Sequence, residues 1–155
     1  MPIAESLLTK PVHAPPEATA RDAARLMKEH QIGSVVVTDH DGAPIGIVTD
    51  RDLALGVLGD AAGSCDDPLS DLMTPNPTVL SREDSLVDAC RLIRRRRVRR
   101  LPVVDEDGVL VGLVSADDLV FALAADLRWA AEAQATGFSN ETRPRLDPPS
   151  IFGKE

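Results

Sequence analysis

Two stretches of this 155-residue sequence put a hydroxyl and a carboxylate at a spacing that could hold a sugar phosphate: Gly46 to Asp52 (GIVTDRD) and Gly112 to Asp118 (GLVSADD). Both read G-x-x-[ST]-x-x-D. At the start of a helix, backbone N–H groups and a partial positive charge face an incoming phosphate. The hydroxyl of Thr49 or Ser115 could donate to a phosphate oxygen, and the carboxylate of Asp52 or Asp118, one turn on, could accept both ribose hydroxyls. The glycine on the preceding strand would let a ligand approach the backbone. The same spacing is also that of a helix capping box, so spacing alone leaves both readings open.

The other feature with chemical potential is a run of positive charge. Residues 91 to 100 (RLIRRRRVRR) hold seven arginines and no acid, in a chain whose net charge is −8 from 17 basic and 25 acidic residues. Arg94 to Arg97, closing a helix, would sit favourably on its dipole. They could also draw phosphate into a cleft or dock an acidic partner surface. A nucleic-acid patch is disfavoured, because no aromatic residue interleaves the arginines and the chain as a whole is acidic.

Catalytic patterns are absent. The sequence has no G-x-S-x-G elbow, P-loop, H-E-x-x-H or G-x-G-x-x-G. His13, His30 and His40 fall in a strand entry, a helix end and a turn, without metal-ligand spacing. Cys65 and Cys90 match no zinc pattern and are too few for a disulfide framework, and Cys90 falls on the inner face of its helix. The expectation is therefore a non-enzyme that needs no cofactor, with cytoplasmic localisation: there is no signal-peptide pattern, and no apolar run long enough to span a membrane.

The elements that must position these residues follow from a duplication. Shifting the chain by 66 residues lays residues 16–58 over 82–124 without a gap and with 13 identities in 43 positions; Pro11 over Pro77 extends the match. In each copy Thr19 or Ser85, with Asp22 or Asp88, can cap a first helix of amphipathic spacing. Strand-like runs at Ser34 to Thr38 and Arg100 to Val104 follow. Asp-Gly turns at Asp41-Gly42 and Asp107-Gly108 then lead into the runs Ile45 to Thr49 and Val111 to Ser115. A final helix begins at each S/T-x-x-D. With short apolar runs around Val12 and Val79 in front, the order is βαββα, twice. With aromatic residues at 3% and hydrophobic residues at 43%, the core must be built from Val, Leu, Ile and Ala, which suits a mixed α/β (α+β) architecture.

The stretches GIVTDRDL and VRRLPVVDEDGVLVGLVSADDL resemble the signature of the cystathionine-β-synthase (CBS) domain family, whose tandem pair is called a Bateman module. The resemblance covers roughly residues 3 to 126. It implies two tandem βαββα units packed with pseudo-twofold symmetry through their sheets: unit 1 at 3–58, a linker at 59–68, unit 2 at 69–126, and a helix extension with a tail at 127–155, mobile from Phe138. It also implies up to two clefts for AMP, ADP, ATP, NAD(H), S-adenosylmethionine or a related ligand, although some members have no known ligand. Arg100, in the RLP position, aligns with a basic residue that many members place against a ligand phosphate. The first copy departs there, with Ser34 opposite Arg100 and Val36 opposite Pro102, so two unequal sites or one site are expected. Base contacts would come from the backbone near Val12 and Val79. The functional expectation is an adenosine-nucleotide sensor acting as a homodimer on a separate regulated protein, without nucleic acid or membrane. The alternative is a ligand-free interaction scaffold.

Overall fold

Each repeat carries a capped helix ahead of its hairpin. In the computed structural model, which describes residues 8–141 and the side chains of 8–134, helix α1 spans Ala20–His30 and its equivalent α4 spans Leu86–Arg96. Thr19 and Ser85 each accept a hydrogen bond from the backbone N–H three residues on. Asp22 and Asp88 return one from the cap's own N–H, closing a full capping box. These bonds hold both carboxyls below the ordinary aspartate value: for Asp22 the largest cause is the Thr19 backbone N–H, for Asp88 the Ser85 hydroxyl. Both helices end at a residue in the left-handed conformation, Gln31 (φ 53°) and Arg97 (φ 55°). Arg94, Arg95 and Arg96 occupy the last turn of α4, where the helix dipole favours them.

A strand hairpin follows each helix. β2 (Ser34–Thr38) pairs antiparallel with β3 (Pro44–Thr49), and β6 (Arg100–Val104) with β7 (Leu110–Ser115). Gly42 (φ +85°) and Gly108 (φ +80°) take the left-handed turn positions that an L side chain rarely adopts. The two-residue strands β1 (His13–Ala14) and β5 (Leu80–Ser81) lie parallel to β2 and β6. Alternation along β2 and β6 separates two buried faces. Val35 and Val37, like Leu101 and Val103, join the helices in two apolar clusters, whereas Val36 and Pro102 are equally buried on the other side of their strands. Both faces of both central strands are thus covered, as a packed pair of sheets requires.

The repeats are tied together by an exchange of leading segments. After the helix α2 (Asp50–Leu53), its π-helical continuation Ala54–Leu58 and the loop beyond, a short helix α3 (Leu69–Leu72) leads into strand β4 (Thr74–Pro75). Sequence bounds place α3 and β4 at the head of the second repeat, yet β4 pairs with β3 of the first, and Leu69, fully buried, completes the first repeat's core with Leu72 and Met73 beside it. The head of the first repeat does the converse: Thr9 bridges to Leu113 on β7 through hydrogen bonds in both directions, each 3.2 Å, and Leu8 packs on the second core.

This exchange explains the glycines of the G-x-x-[ST]-x-x-D motifs. A Cβ on Gly46 would collide with the Met73 side chain, and one on Gly112 would lie 3.1 Å from Leu8 Cδ2. The expectation that these glycines make room for a ligand is thereby corrected. They make room for the other repeat's leading segment.

Residues up to Leu119 form one compact unit and those from Val120 another. The helix α5 (Ala116–Glu141) runs four residues past Gly137, so Phe138 to Glu141, placed in the tail by the sequence reading, are helical. The rest of the expected tail, 142–155, lies outside the described residues. In the second unit Val120, Phe121, Leu127 and Trp129 are all exposed, and Arg128 pairs with Glu132 at 2.9 Å. No helix among the described residues is long and apolar enough to cross a membrane.

Two outcomes follow. Leu69→Ala should cost about 2–5 kcal/mol in urea unfolding, the scale for emptying a fully buried leucine site, although Leu69 lies outside the first repeat's own sequence. Asp88→Asn should flatten the acid limb of stability. A carboxyl whose folded pKa is depressed contributes stability that is complete above its unfolded value and is lost as pH falls through the folded one. The gap in urea midpoint between wild type and variant should therefore narrow from pH 7 to pH 2–3.

Candidate functional site

Two clefts open where the repeats meet, and they are copies of one another under the 66-residue offset. The first, about 250 Å³, is lined by Ile47 and Thr49 of the first repeat and by Thr74, Pro77, Thr78, Val98, Arg99 and Arg100 of the second. The second, about 270 Å³, is lined by Leu113, Ser115, Asp117 and Asp118 of the second repeat and by Thr9, Lys10, Val12 and the Gln31–Ser34 junction of the first. Ile47 corresponds to Leu113, Thr49 to Ser115, Thr78 to Val12, and Val98–Arg100 to Ile32–Ser34. Each cleft therefore takes its S/T-x-x-D wall from one repeat and its helix-to-strand junction from the other. Neither repeat holds a complete site by itself.

The helix starts at these walls are largely satisfied from within. Thr49 donates its hydroxyl hydrogen to Asp52 Oδ2 at 2.7 Å and accepts from the Asp52 N–H at 3.2 Å. The Arg51 N–H is taken by Asp50 Oδ1 at 2.8 Å, and the Asp50 N–H by the Gly33 carbonyl at 3.2 Å. In the second repeat the Ser115 hydroxyl donates to Asp118 Oδ2, the Asp118 N–H returns to Ser115, and the Ala116 N–H goes to the Arg99 carbonyl at 2.9 Å. Ala116 replaces Asp50 and carries no acceptor, so nothing in its side chain caps Asp117. The expected cradle of free N–H groups thus shrinks, in this arrangement, to the single N–H of Asp117. Positive charge for an anion must come from side chains instead.

Those side chains are Arg99, Arg100 and Lys10. Arg100 is half-buried, lines both clefts, and makes no side-chain hydrogen bond or ion pair among the described residues. Its Nη2 lies 3.5 Å from the position a Cβ would take on Gly33, so the guanidinium reaches across to the junction of the first repeat. Ser34, at the equivalent place, is 3% exposed. The charged side chains that line the first cleft are arginines alone, with the Asp50 carboxylate near Arg100 beside Gly33 (Oδ2 3.3 Å from the same Cβ position), whereas the second combines Lys10 and Arg100 with Asp117 and Asp118.

The sequence-derived residues distribute unevenly. Ser115, Asp118, Arg100 and Val12 line the second cleft together, and Thr49 with Arg100 lines the first. Asp118 uses Oδ2 for the cap and keeps Oδ1 without a partner among the described residues. Asp52 makes the same bonds to Thr49 but does not line the first cleft. Val79 lines neither cleft; the residue equivalent to Val12 is Thr78, as the 66-residue offset gives directly. Pro102 is fully buried and touches neither cleft, yet it changes one of them indirectly. Val36 donates its N–H to the Val12 carbonyl at 3.1 Å. Proline has no N–H, so the matching bond from residue 102 cannot form, and the Thr78 carbonyl keeps a free acceptor among the described residues.

Lining residues that the sequence reading did not place in a site include Ile47, Thr78, Arg99, Lys10 and Ile32. The offset that aligns the repeats would have supplied several of them, had each cleft been sought across the pair. His13 bonds Thr38 Oγ1 through Nδ1 at 3.2 Å, and no grouping of three metal-ligating side chains occurs among the described residues.

The sequence matches the CBS domain family twice, over residues 4–59 and 69–125. An uncharacterised protein of Methanopyrus kandleri is 38% identical over 106 residues, which is 68% of this chain and 54% of that one, so the chain spans about half of that relative's length. The CBS domain-containing protein YhcV of Bacillus subtilis is 33% identical over 76% of this chain and 81% of its own. Among solved structures, CBSX2 in complex with AMP superposes with a TM-score of 0.68 and 28% identity, covering 77% of this chain and 94% of that chain; CBSX2 is a CBS-pair protein from Arabidopsis thaliana.

Proposed function

This chain belongs to the CBS domain family, and on that footing we propose that it is a regulatory module that binds an adenosine-type mononucleotide in the clefts between its repeats. The observation that carries this reading is the second cleft. It brings a half-buried, unpaired Arg100 and Lys10, for phosphate, into one space with the free Oδ1 of Asp118, for ribose. Val12, Ile32 and Leu113 supply apolar walls for a purine. A carboxylate with one oxygen fixed by Ser115 is already oriented, so little ordering is needed for the other to accept a hydroxyl. That the CBSX2 relative has been solved with AMP supports the choice of ligand class.

The module's clefts hold carboxylates, hydroxyls and cations suited to bind and orient a ligand. Its response passes through self-association. Phe121, Leu127 and Trp129 are each more than 70% exposed on α5, and apolar side chains of that size gain about 1.5–3 kcal/mol each on full burial. The scaffold reading without ligand draws on the absence of an arginine at Ser34, which leaves the pair one guanidinium short of a symmetric double site.

Three measurements test this reading. In a thermal-shift screen against AMP, ADP, ATP, NAD, NADH and S-adenosylmethionine, a mononucleotide at 100 times its Kd should add about 2.7 kcal/mol of stability. Asp118→Ala should then weaken that ligand by about 1.5–3 kcal/mol, the scale for a hydrogen bond to a charged group. A variant that melts earlier but binds normally would leave Asp118 as a cap alone. Sedimentation should show a dimer or larger assembly at tens of micromolar, and a persistent monomer would remove self-association from the mechanism.

A further inference from the structure

Both clefts depend on one guanidinium. Arg100 lines the Thr49 cleft and the Ser115 cleft alike, while its counterpart under the repeat offset is the buried Ser34. Of the backbone N–H groups at the two helix starts, Asp50, Arg51, Asp52, Ala116 and Asp118 donate within the protein, which leaves that of Asp117. Beside Arg99 in the first cleft and Lys10 in the second, Arg100 is the cation that both clefts share, and among the described residues it makes no ion pair.

We infer that the two clefts are negatively coupled through Arg100, so that a phosphorylated ligand seated in one weakens the binding of a second phosphorylated ligand in the other. This rests on the nucleotide reading given above and adds a rule for how the sites are filled. A bidentate pair with a phosphate uses two of the guanidinium's five N–H groups and fixes its plane toward that partner, while its single positive charge is already engaged. Once turned into one cleft it is withdrawn from the other, and the bound phosphate adds a negative charge beside the vacant site. The Ser115 cleft fills first, because it sets Lys10 beside Arg100 for phosphate and Asp118 for ribose, whereas the Thr49 cleft adds Arg99 but is lined by no carboxylate to hold a ribose. A nucleoside without phosphate makes no demand on Arg100 and fills both clefts independently.

Coupling through one charged pair corresponds to a separation of about tenfold or more between successive binding constants. Isothermal titration of the full chain with AMP and with adenosine, for wild type and Arg100→Gln, tests it. Wild type should take two equivalents of adenosine without separation. AMP should bind in two steps at least tenfold apart, or in one step only. In Arg100→Gln the first AMP step should weaken and the two steps should merge, with adenosine unchanged. Two equal AMP steps in wild type, a separation that persists in the variant, or a single adenosine equivalent would overturn the coupling while leaving nucleotide binding in place. Absence of binding by either ligand would overturn the nucleotide reading and the coupling with it.

Discussion

The fold depends on the crossing of leading segments between repeats. Each βαββα unit ends its sheet at a strand, β3 or β7, whose outer edge is taken by the segment that opens the other unit. The same crossing completes the cores: Leu69 fills the first and Leu8 packs on the second. A sheet of two or three strands with one face bare is marginal in water, and here both the bare edge and the bare face are closed by the partner repeat. The glycines at 46 and 112 belong to this constraint. They sit where the foreign segment passes, and a side chain there would meet Met73 or Leu8.

The clefts are by-products of that crossing. The chain that has just crossed, at Thr9–Val12 or Thr74–Thr78, becomes one wall, and the capped start of the last helix becomes the opposite wall. Capping and cross-repeat hydrogen bonding use up most of the backbone donors, so the electrostatics pass to long side chains. Those have diverged since the repeats separated. Arg99 and Arg100 stand where the first copy has Gly33 and Ser34, and Ala116 and Asp117 where it has Asp50 and Arg51. The backbone is nearly symmetric and the charge is not.

Local signals in the sequence carried far. The S/T-x-x-D boxes, the Asp-Gly turns and the helical spacing of Ala23, Leu26 and Met27 each act over a few residues, and the structure holds capping boxes, left-handed turn glycines and buried helix faces at those places. The resemblance to the CBS family supplied the pairing that no local signal contains. What stayed hidden was set at long range. Nothing near Leu69 says that it fills a core dominated by residues 14–53, and nothing near Gly46 distinguishes room for a ligand from room for Met73. Val79 was chosen for its apolar character, but its repeat equivalent is His13, and it is Thr78 that meets the cleft. Pro102 looked like part of a binding signature, yet its effect is to withhold a donor from Thr78.

Ser34 facing Arg100 has a consequence for how such a molecule could arise. A chain with only one repeat would leave its opening segment and its glycine slot unfilled, and a second copy of the same chain would satisfy both as a twofold dimer. In that dimer each residue occurs twice, so an arginine at this position, which here lines both clefts, would share them with a second like charge that repels it. Joining the copies in one polypeptide lifts that symmetry. One side can then become a small buried serine while the other keeps a long cation with the space to swing between two cavities. Gene fusion, on this view, stabilises no new contact; it permits a single charge to occupy an axis that identical subunits must share equally.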